Sequence, residues 1–170
     1  MKNPVVTLTL AAAALAALSV TSLRAQTGPR RTAVPISLQA IAIHDLEFPG
    51  VLPGIPKSVS VFDPFHSAIF EIQGQPNASV RVELVLPSWL TTSGGDMLPV
   101  VFYAGDGFAA PTRGDSRLGV SFDPHLPLIT TLSGTGQLYV RLGGTALPGR
   151  PQVGGTYRST IILTVYDLGS

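Results

Sequence analysis

Three histidines, His44, His66 and His125, are the side chains of this sequence best suited to act as general bases or metal ligands. Each has an aspartate close by in sequence, giving the pairs His44 with Asp45, Asp63 with His66, and Asp123 with His125. A zinc site needs several such ligands at close spacing, and a hydrolytic site needs a nucleophile beside the histidine. The chain has no cysteine and no Gly-x-Ser-x-Gly motif. We therefore expect a protein that is not an enzyme and that binds no metal ion or cofactor.

A structural role explains two of these pairs equally well. Asp63 and Asp123 each precede a proline at the end of an apolar stretch, in VSVFDPFH and VSFDPHLP. An aspartate can close a strand by bonding to the backbone that follows it, and proline cannot continue the hydrogen-bond ladder. We expect both aspartates to terminate strands.

Aspartate also follows glycine at Asp96, Asp106 and Asp115. None of these loops contains the closely spaced acidic residues that form a calcium loop, so we expect hairpin tips. Calcium held jointly by neighbouring loops remains the alternative. Arg113, Gly114 and Asp115 spell a tripeptide recognised by integrins, which is a weak adhesion motif within what we expect to be an exposed loop.

The first 25 residues have the features of a signal peptide. Lys2 supplies a short charged start, a long apolar stretch follows, and we place cleavage after Ala25. An uncleaved membrane anchor is the alternative, because the stretch is about long enough to span a bilayer. We expect residues 26–32 to be a short disordered segment and residues 33–170 a single domain, located in the periplasm or on the outer surface of a bacterium and not stably inserted in the membrane.

The charge balance argues against nucleic-acid binding. Removal of Lys2 and Arg24 with the signal peptide leaves nine basic and ten acidic residues, a net charge of −1. Sequence-independent binding to nucleic acid depends on clustered lysines and arginines. Without cysteines, no disulfide can stabilise the exported domain, so buried apolar surface has to do so.

Apolar and polar residues alternate throughout the predicted domain, which indicates strands rather than helices. The clearest examples are AIFEIQG (68–74), SVRVELVL (79–86) and QLYVRL (137–142). Turn sequences rich in glycine, proline and aspartate, among them LGGTALPG (142–149), separate them, and VPISLQAIAI (34–43) predicts a long first strand. We predict an all-β fold, two packed antiparallel sheets in an immunoglobulin-like β-sandwich.

Several short motifs occur in the order seen in one family of secreted bacterial proteins. They comprise LEFPG with Leu46 and Phe48, FEIQG with Phe70 and Gly74, Leu86 and Pro87, and GTY with Gly155 and Tyr157. Together they resemble the domain of unknown function 4402 family, although Pro49 stands where that family tends to have glycine. The resemblance implies a pilin-like, immunoglobulin-type sandwich and no established activity.

The most regular strand, TIILTVY (160–166), lies close to the end of the sequence and is apolar on both faces. We expect a non-enzymatic structural module, such as a pilin-like or adhesin-like subunit, whose strand edges pair with other protein subunits. Residues 26–31 are too short and polar to form a donor strand, so we expect a self-complete fold in which this last strand is central and covered on both faces. The alternative is a module whose loops bind a carbohydrate or a protein, with Trp89 and Tyr103 as candidate contacts if they are exposed. For Trp89 we expect instead packing beneath a sheet edge, and a place in the core is the alternative for Tyr103.

Overall fold

The computed structural model describes residues 5–7, 9–14, 36–114 and 117–169, of which the first two ranges are described by backbone pairing alone. These residues form strands and no helix, so the all-β prediction is confirmed. The strands are β1 Val5–Thr7, β2 Thr9–Ala14, β3 Gln39–His44, β4 Glu47–Pro49, β5 Lys57–Val59, β6 Ala68–Gln73, β7 Ser79–Val85, β8 Trp89–Thr91, β9 Met97–Val101, β10 Gly107–Ala110, β11 Val120–Phe122, β12 Leu128–Thr131, β13 Gln137–Leu142, β14 Gly144–Ala146 and β15 Thr160–Gly169. The predicted cleavage site at Ala25 and the predicted disordered segment 26–32 lie outside the described residues.

The strands form three larger sheets and one two-stranded ribbon. The five-stranded sheet has the order β11-β10-β13-β6-β3 and is antiparallel throughout. The second sheet has the order β12-β7-β15-β2, in which only the β15–β2 pair is parallel. A third sheet has the order β5-β14-β9-β8, and β1 pairs with β4. The architecture is that of a β-sandwich, as the alternating sequence pattern predicts.

The core lies between these sheets and is built by strand alternation. Phe70 and Ile72 in β6 and Val140 in β13 are fully buried on the inner face of the five-stranded sheet. Val80 in β7 and Leu163 in β15 are buried to the same degree on the facing sheet and belong to the same apolar cluster. Because successive side chains point to opposite faces of a strand, period-two apolar sequences place one row inside.

Two predictions about individual elements are corrected. Residues 36–38 are not in a strand and β3 begins at Gln39, so VPISLQAIAI does not form one long strand. The segment LGGTALPG, which we expected to be a turn, contains β14. Gly143 joins β13 to β14 and lets the chain pass from one sheet to another. A Cβ atom at Gly143 would lie 2.5 Å from the backbone oxygen of Val59, so only glycine permits this close approach.

Candidate functional site

Asp63 is a turn residue, as expected, but it does not terminate a strand, because β5 ends at Val59, four residues earlier. Its Oδ1 accepts the backbone N–H groups of Phe65 at 2.9 Å and His66 at 3.0 Å, and its Oδ2 lies 3.0 Å from Nδ1 of His66. The hydrogen bond from Phe65, supported by those from His66 and opposed by partial burial, lowers the pKa of Asp63. The carboxylate is thus used to hold a local turn.

The other two histidines bond to backbone carbonyl groups. His125 Nε2 lies 2.9 Å from the oxygen of Phe102, and the backbone N–H of His125 donates to Asp123 Oδ1 at 2.9 Å, which confirms the second Asp-Pro turn. His44 Nδ1 lies 2.7 Å from the carbonyl oxygen of Asp45 rather than from its carboxylate. Among the described residues, no group of three or more metal-ligating side chains comes together.

The Gly-Asp sequence at Asp96 forms a hairpin tip, as expected, whereas Asp106 lies in a turn between β9 and β10, which belong to different sheets, so the hairpin prediction is wrong there. Asp96 Oδ2 accepts a hydrogen bond from the hydroxyl of Thr92 between β8 and β9, and Asp106 Oδ2 accepts the N–H of Tyr103 between β9 and β10. Asp115, the last residue of the adhesion motif, lies outside the described residues. Its neighbours Arg113 and Gly114 are exposed, and the carbonyl oxygen of Arg113 accepts a hydrogen bond of 2.5 Å from Arg141.

The residues that carry the family resemblance have mainly structural positions. Buried in the main core are Leu46, Phe48, Phe70 and Tyr157. Gly74 is packed so tightly that a Cβ atom would lie 2.9 Å from the side chains of Leu132 and Leu38. Gly155 is half-buried against Thr92, and Leu86 with Pro87 is half-buried at the end of β7.

Tyr157 anchors the long connection between β14 and β15. Its hydroxyl donates to the carbonyl oxygen of Val153 at 2.6 Å and accepts a hydrogen bond from Gln152 Nε2 at 2.7 Å. The same Gln152 nitrogen lies 3.1 Å from the carbonyl oxygen of Met97 in β9. The connection is therefore tied both to the core and to the third sheet immediately before β15 begins.

The strand β15 has a different neighbour on each side. On one side it pairs antiparallel with β7, with Leu163 opposite Leu84. On the other side it pairs parallel with β2, with Leu163 opposite Ala12. Within the described residues of the predicted domain, β15 pairs only with β7, so the prediction of a strand central within its own domain is not confirmed. It lies between two strands only through β2, which belongs to the predicted signal peptide.

The two faces of β15 differ more than the sequence suggests. Ile161, Leu163 and Val165 are fully buried, whereas Ile162 and Tyr166 are each 38% exposed. We expected both faces to be covered, and the outer face is not. Besides pairing with β15, β2 contacts β3, the edge strand of the five-stranded sheet. The backbone of Thr9–Ala14 therefore lies where the edges of the two sheets meet.

Trp89 lies on the surface, contrary to the expectation that it packs beneath a sheet edge. It is 47% exposed and Tyr103 is 58% exposed. Trp89 lines a shallow groove of about 350 Å³ together with Pro87, Phe102 and His125. The groove was not predicted from the sequence, because it is formed by the end of β7 and by the loop at His125, which are far apart in the chain.

Comparison of the sequence with protein-family models and with curated proteins found no match. In the described residues, no helix has both the length and the apolar character needed to cross a membrane.

Proposed function

We propose that this protein is a non-enzymatic, exported structural module of the periplasm or cell surface that accepts a β-strand along the edge of β15. The observation that supports this proposal is the pairing of β15 with Thr9–Ala14, residues that the sequence analysis assigns to a cleaved signal peptide. A pilin-like or adhesin-like subunit, as the family resemblance implies, would use such an edge to join another subunit.

Cleavage after Ala25 would remove one neighbour of β15. The edge from Thr160 to Val165 would then present unpaired N–H and C=O groups. The buried row of Ile161, Leu163 and Val165 would lose the backbone that now lies beside it. Exposed apolar edges of this kind pair readily with a strand from another molecule.

Two expectations from the sequence are therefore in tension. We expect cleavage after Ala25, and we also expect a self-complete fold, yet in the structure Thr9–Ala14 completes the second sheet. A strand donated by another chain resolves this tension for the cleaved protein. If the exported protein instead keeps its N-terminal segment, β2 completes the sheet and no donated strand is needed. The first residue of the exported protein distinguishes these two cases.

The first experiment is mass spectrometry of the protein recovered from the cell envelope. We expect a chain that begins at Gln26. Recovery of a chain that still begins at Met1 would leave β2 in place and remove the basis of the strand-accepting proposal.

The second experiment supplies the missing strand within the same molecule. Residues 26–170 are compared with the same chain extended by a flexible linker and residues 5–14. Because β2 runs parallel to β15, the linker must return along roughly 20 Å of strand, for which about 15 Gly/Ser residues are enough. We expect the unextended chain to self-associate in light-scattering measurements, and the extended chain to be monomeric and more stable to urea.

A proline in the added strand provides the matched control. Ala12→Pro removes one backbone donor from the donated strand while keeping its length and apolar character. This variant should behave like the unextended chain. A monomeric, equally stable protein in all three forms would contradict the proposal.

A second candidate function is a loop-based binding module. The exposed indole of Trp89 within its groove favours this reading, since aromatic rings on the surface stack against the apolar faces of sugars. The test is a glycan-binding screen with Trp89→Ala beside Tyr103→Ala. Saturable glycan binding lost only in the Trp89 variant would support this function.

A further inference from the structure

A cleft of about 370 Å³ lies on the outer face of the five-stranded sheet, away from β15. Its floor comes from β10 and β13, where Phe108 is opposite Arg141 and Ala110 is opposite Tyr139. These residues alternate with core residues such as Val140, so they point away from the core. The volume is in the range of small-molecule binding sites.

One wall of the cleft is aromatic. Phe108 and Ala110 are about 95% buried although they lie on the outer face, and they form a small apolar cluster with Val61. Phe62 packs edge-to-face against Phe108 with ring centroids 5.0 Å apart and remains 49% exposed. A flat apolar ligand could therefore contact Phe62 and Phe108 without rearrangement of the core.

The cleft also has cationic side chains in its lining. Arg113 and Arg141 both line it, and neither forms an ion pair with any residue in the described part of the chain. Arg141 uses one donor to hold the carbonyl oxygen of Arg113, which fixes the loop that carries the second guanidinium. Guanidinium groups present several donors in a fork that matches a carboxylate.

Two acidic residues near the cleft already have hydrogen-bond partners: Asp63, between Phe62 and Pro64, holds its own turn, and Glu71 bonds to neighbouring side chains. Glu71 Oε1 accepts hydrogen bonds from Gln73 at 2.8 Å, Gln137 at 3.2 Å and the Tyr139 hydroxyl at 3.3 Å, and Glu71 does not line the cleft. Burial, together with the charge and hydrogen bond of Glu71, raises the pKa of Tyr139, although the charge of Arg113 opposes this shift. Tyr139 is therefore an uncharged residue in the lining of the cleft at physiological pH.

We propose that this cleft binds a small aromatic carboxylic acid, with the ring against Phe62 and Phe108 and the carboxylate at Arg113 and Arg141. Phe62, Pro64, Phe108 and Ala110 make the lining largely apolar, which suits a planar hydrocarbon body better than a sugar with many hydroxyl groups. This site is independent of the edge of β15 and does not rest on the proposed structural function.

The test compares an acid with its neutral isostere on the unaltered full-length protein. Binding of 2-naphthoate and of 2-naphthamide is measured by calorimetry and by changes in the backbone amide NMR spectrum. We expect saturable binding of naphthoate and at least about tenfold weaker binding of the amide, the ratio expected for one charge-assisted hydrogen bond. Equal affinities, or no saturable binding of naphthoate at millimolar concentration, would overturn the proposal without any variant being needed.

Variants then test whether Arg113 is the cationic group that binds the carboxylate. Arg113 is exposed, so Arg113→Gln should fold normally, weaken naphthoate binding to the level of the amide, and leave amide binding unchanged. Arg158→Gln, which removes an exposed arginine next to the third sheet, is the matched control and should bind both compounds as the unaltered protein does. Equal loss in both variants would mean that net charge rather than the cleft attracts the acid, and would refute the assignment.

Discussion

Truncation of Leu163 to alanine tests whether the inner face of β15 is part of the domain core. Leu163 is fully buried, lies opposite Leu84 of β7 and belongs to the main apolar cluster. Removing such a side chain costs about 2–5 kcal/mol, the sum of lost burial and the cavity that remains. For a domain of this size we expect the thermal midpoint to fall by roughly 5–20 °C.

Ile162 provides the matched control on the same strand. It lies next to Leu163, faces outward and is 38% exposed. Ile162→Ala should cost about 1 kcal/mol or less, most of it through the lower strand preference of alanine. Urea denaturation followed by circular dichroism measures both variants, with equal slopes required before the midpoints are compared.

The comparison has a clear refuting outcome. If Leu163→Ala unfolds at the same urea concentration as the unaltered protein but no longer associates with other subunits, the inner row of β15 serves an interface. If both variants lose equal stability, the difference in burial between the two faces of β15 does not govern its energetics, and the reasoning fails.

Three further outcomes are expected. Tyr157→Phe removes the hydroxyl that bonds to Val153 and Gln152, and should lower the free energy of unfolding by about 1–3 kcal/mol in urea titrations; an unchanged value would show that the connection before β15 needs no anchor. The pKa of Asp63 is lowered in the folded state, so its carboxylate adds stability above the unfolded pKa near 3.8, and this is lost as pH falls through the folded value. Unfolding midpoints from about pH 5 to about pH 2 should therefore drop less steeply in Asp63→Asn than in the unaltered protein, and parallel curves would contradict this. Gly136→Ala should lower the free energy of unfolding more than Gly95→Ala. Both glycines have positive φ, of 77° and 90°, but only at Gly136 would a Cβ atom meet backbone, at 2.2 Å. Equal losses of stability would mean that the positive φ, and not the close contact, sets the cost.

Much of the strand pattern was predictable from local alternation. The inward rows of β6, β7 and β13 follow directly from AIFEIQG, SVRVELVL and QLYVRL, because the two-residue period of a strand is a property of its own backbone. The turns at Asp63 and Asp123 were equally predictable, since an aspartate before proline bonds to the N–H groups that immediately follow it.

The candidate sites were not predictable in the same way. The aromatic wall at Phe62 and Phe108 and the guanidinium groups of Arg113 and Arg141 come from segments far apart in sequence. Only the pairing of β10 with β13, and the loops folded over them, brings these side chains together. Trp89 was misassigned for a related reason, because an aromatic residue at a strand end is buried or exposed according to what the rest of the chain places above it.

The sequence by itself determined the class of the fold, the inward face of each long strand and several of the tight turns. The tertiary structure decided which strands are neighbours, where the chain changes sheet at Gly143, and that β15 pairs with Thr9–Ala14. The physical reason is that side-chain alternation is encoded locally, whereas the hydrogen-bonding groups along a strand edge are nearly identical in every sequence. Any extended segment that reaches the edge of β15 can pair with it, so the partner is selected by the packing of the whole chain.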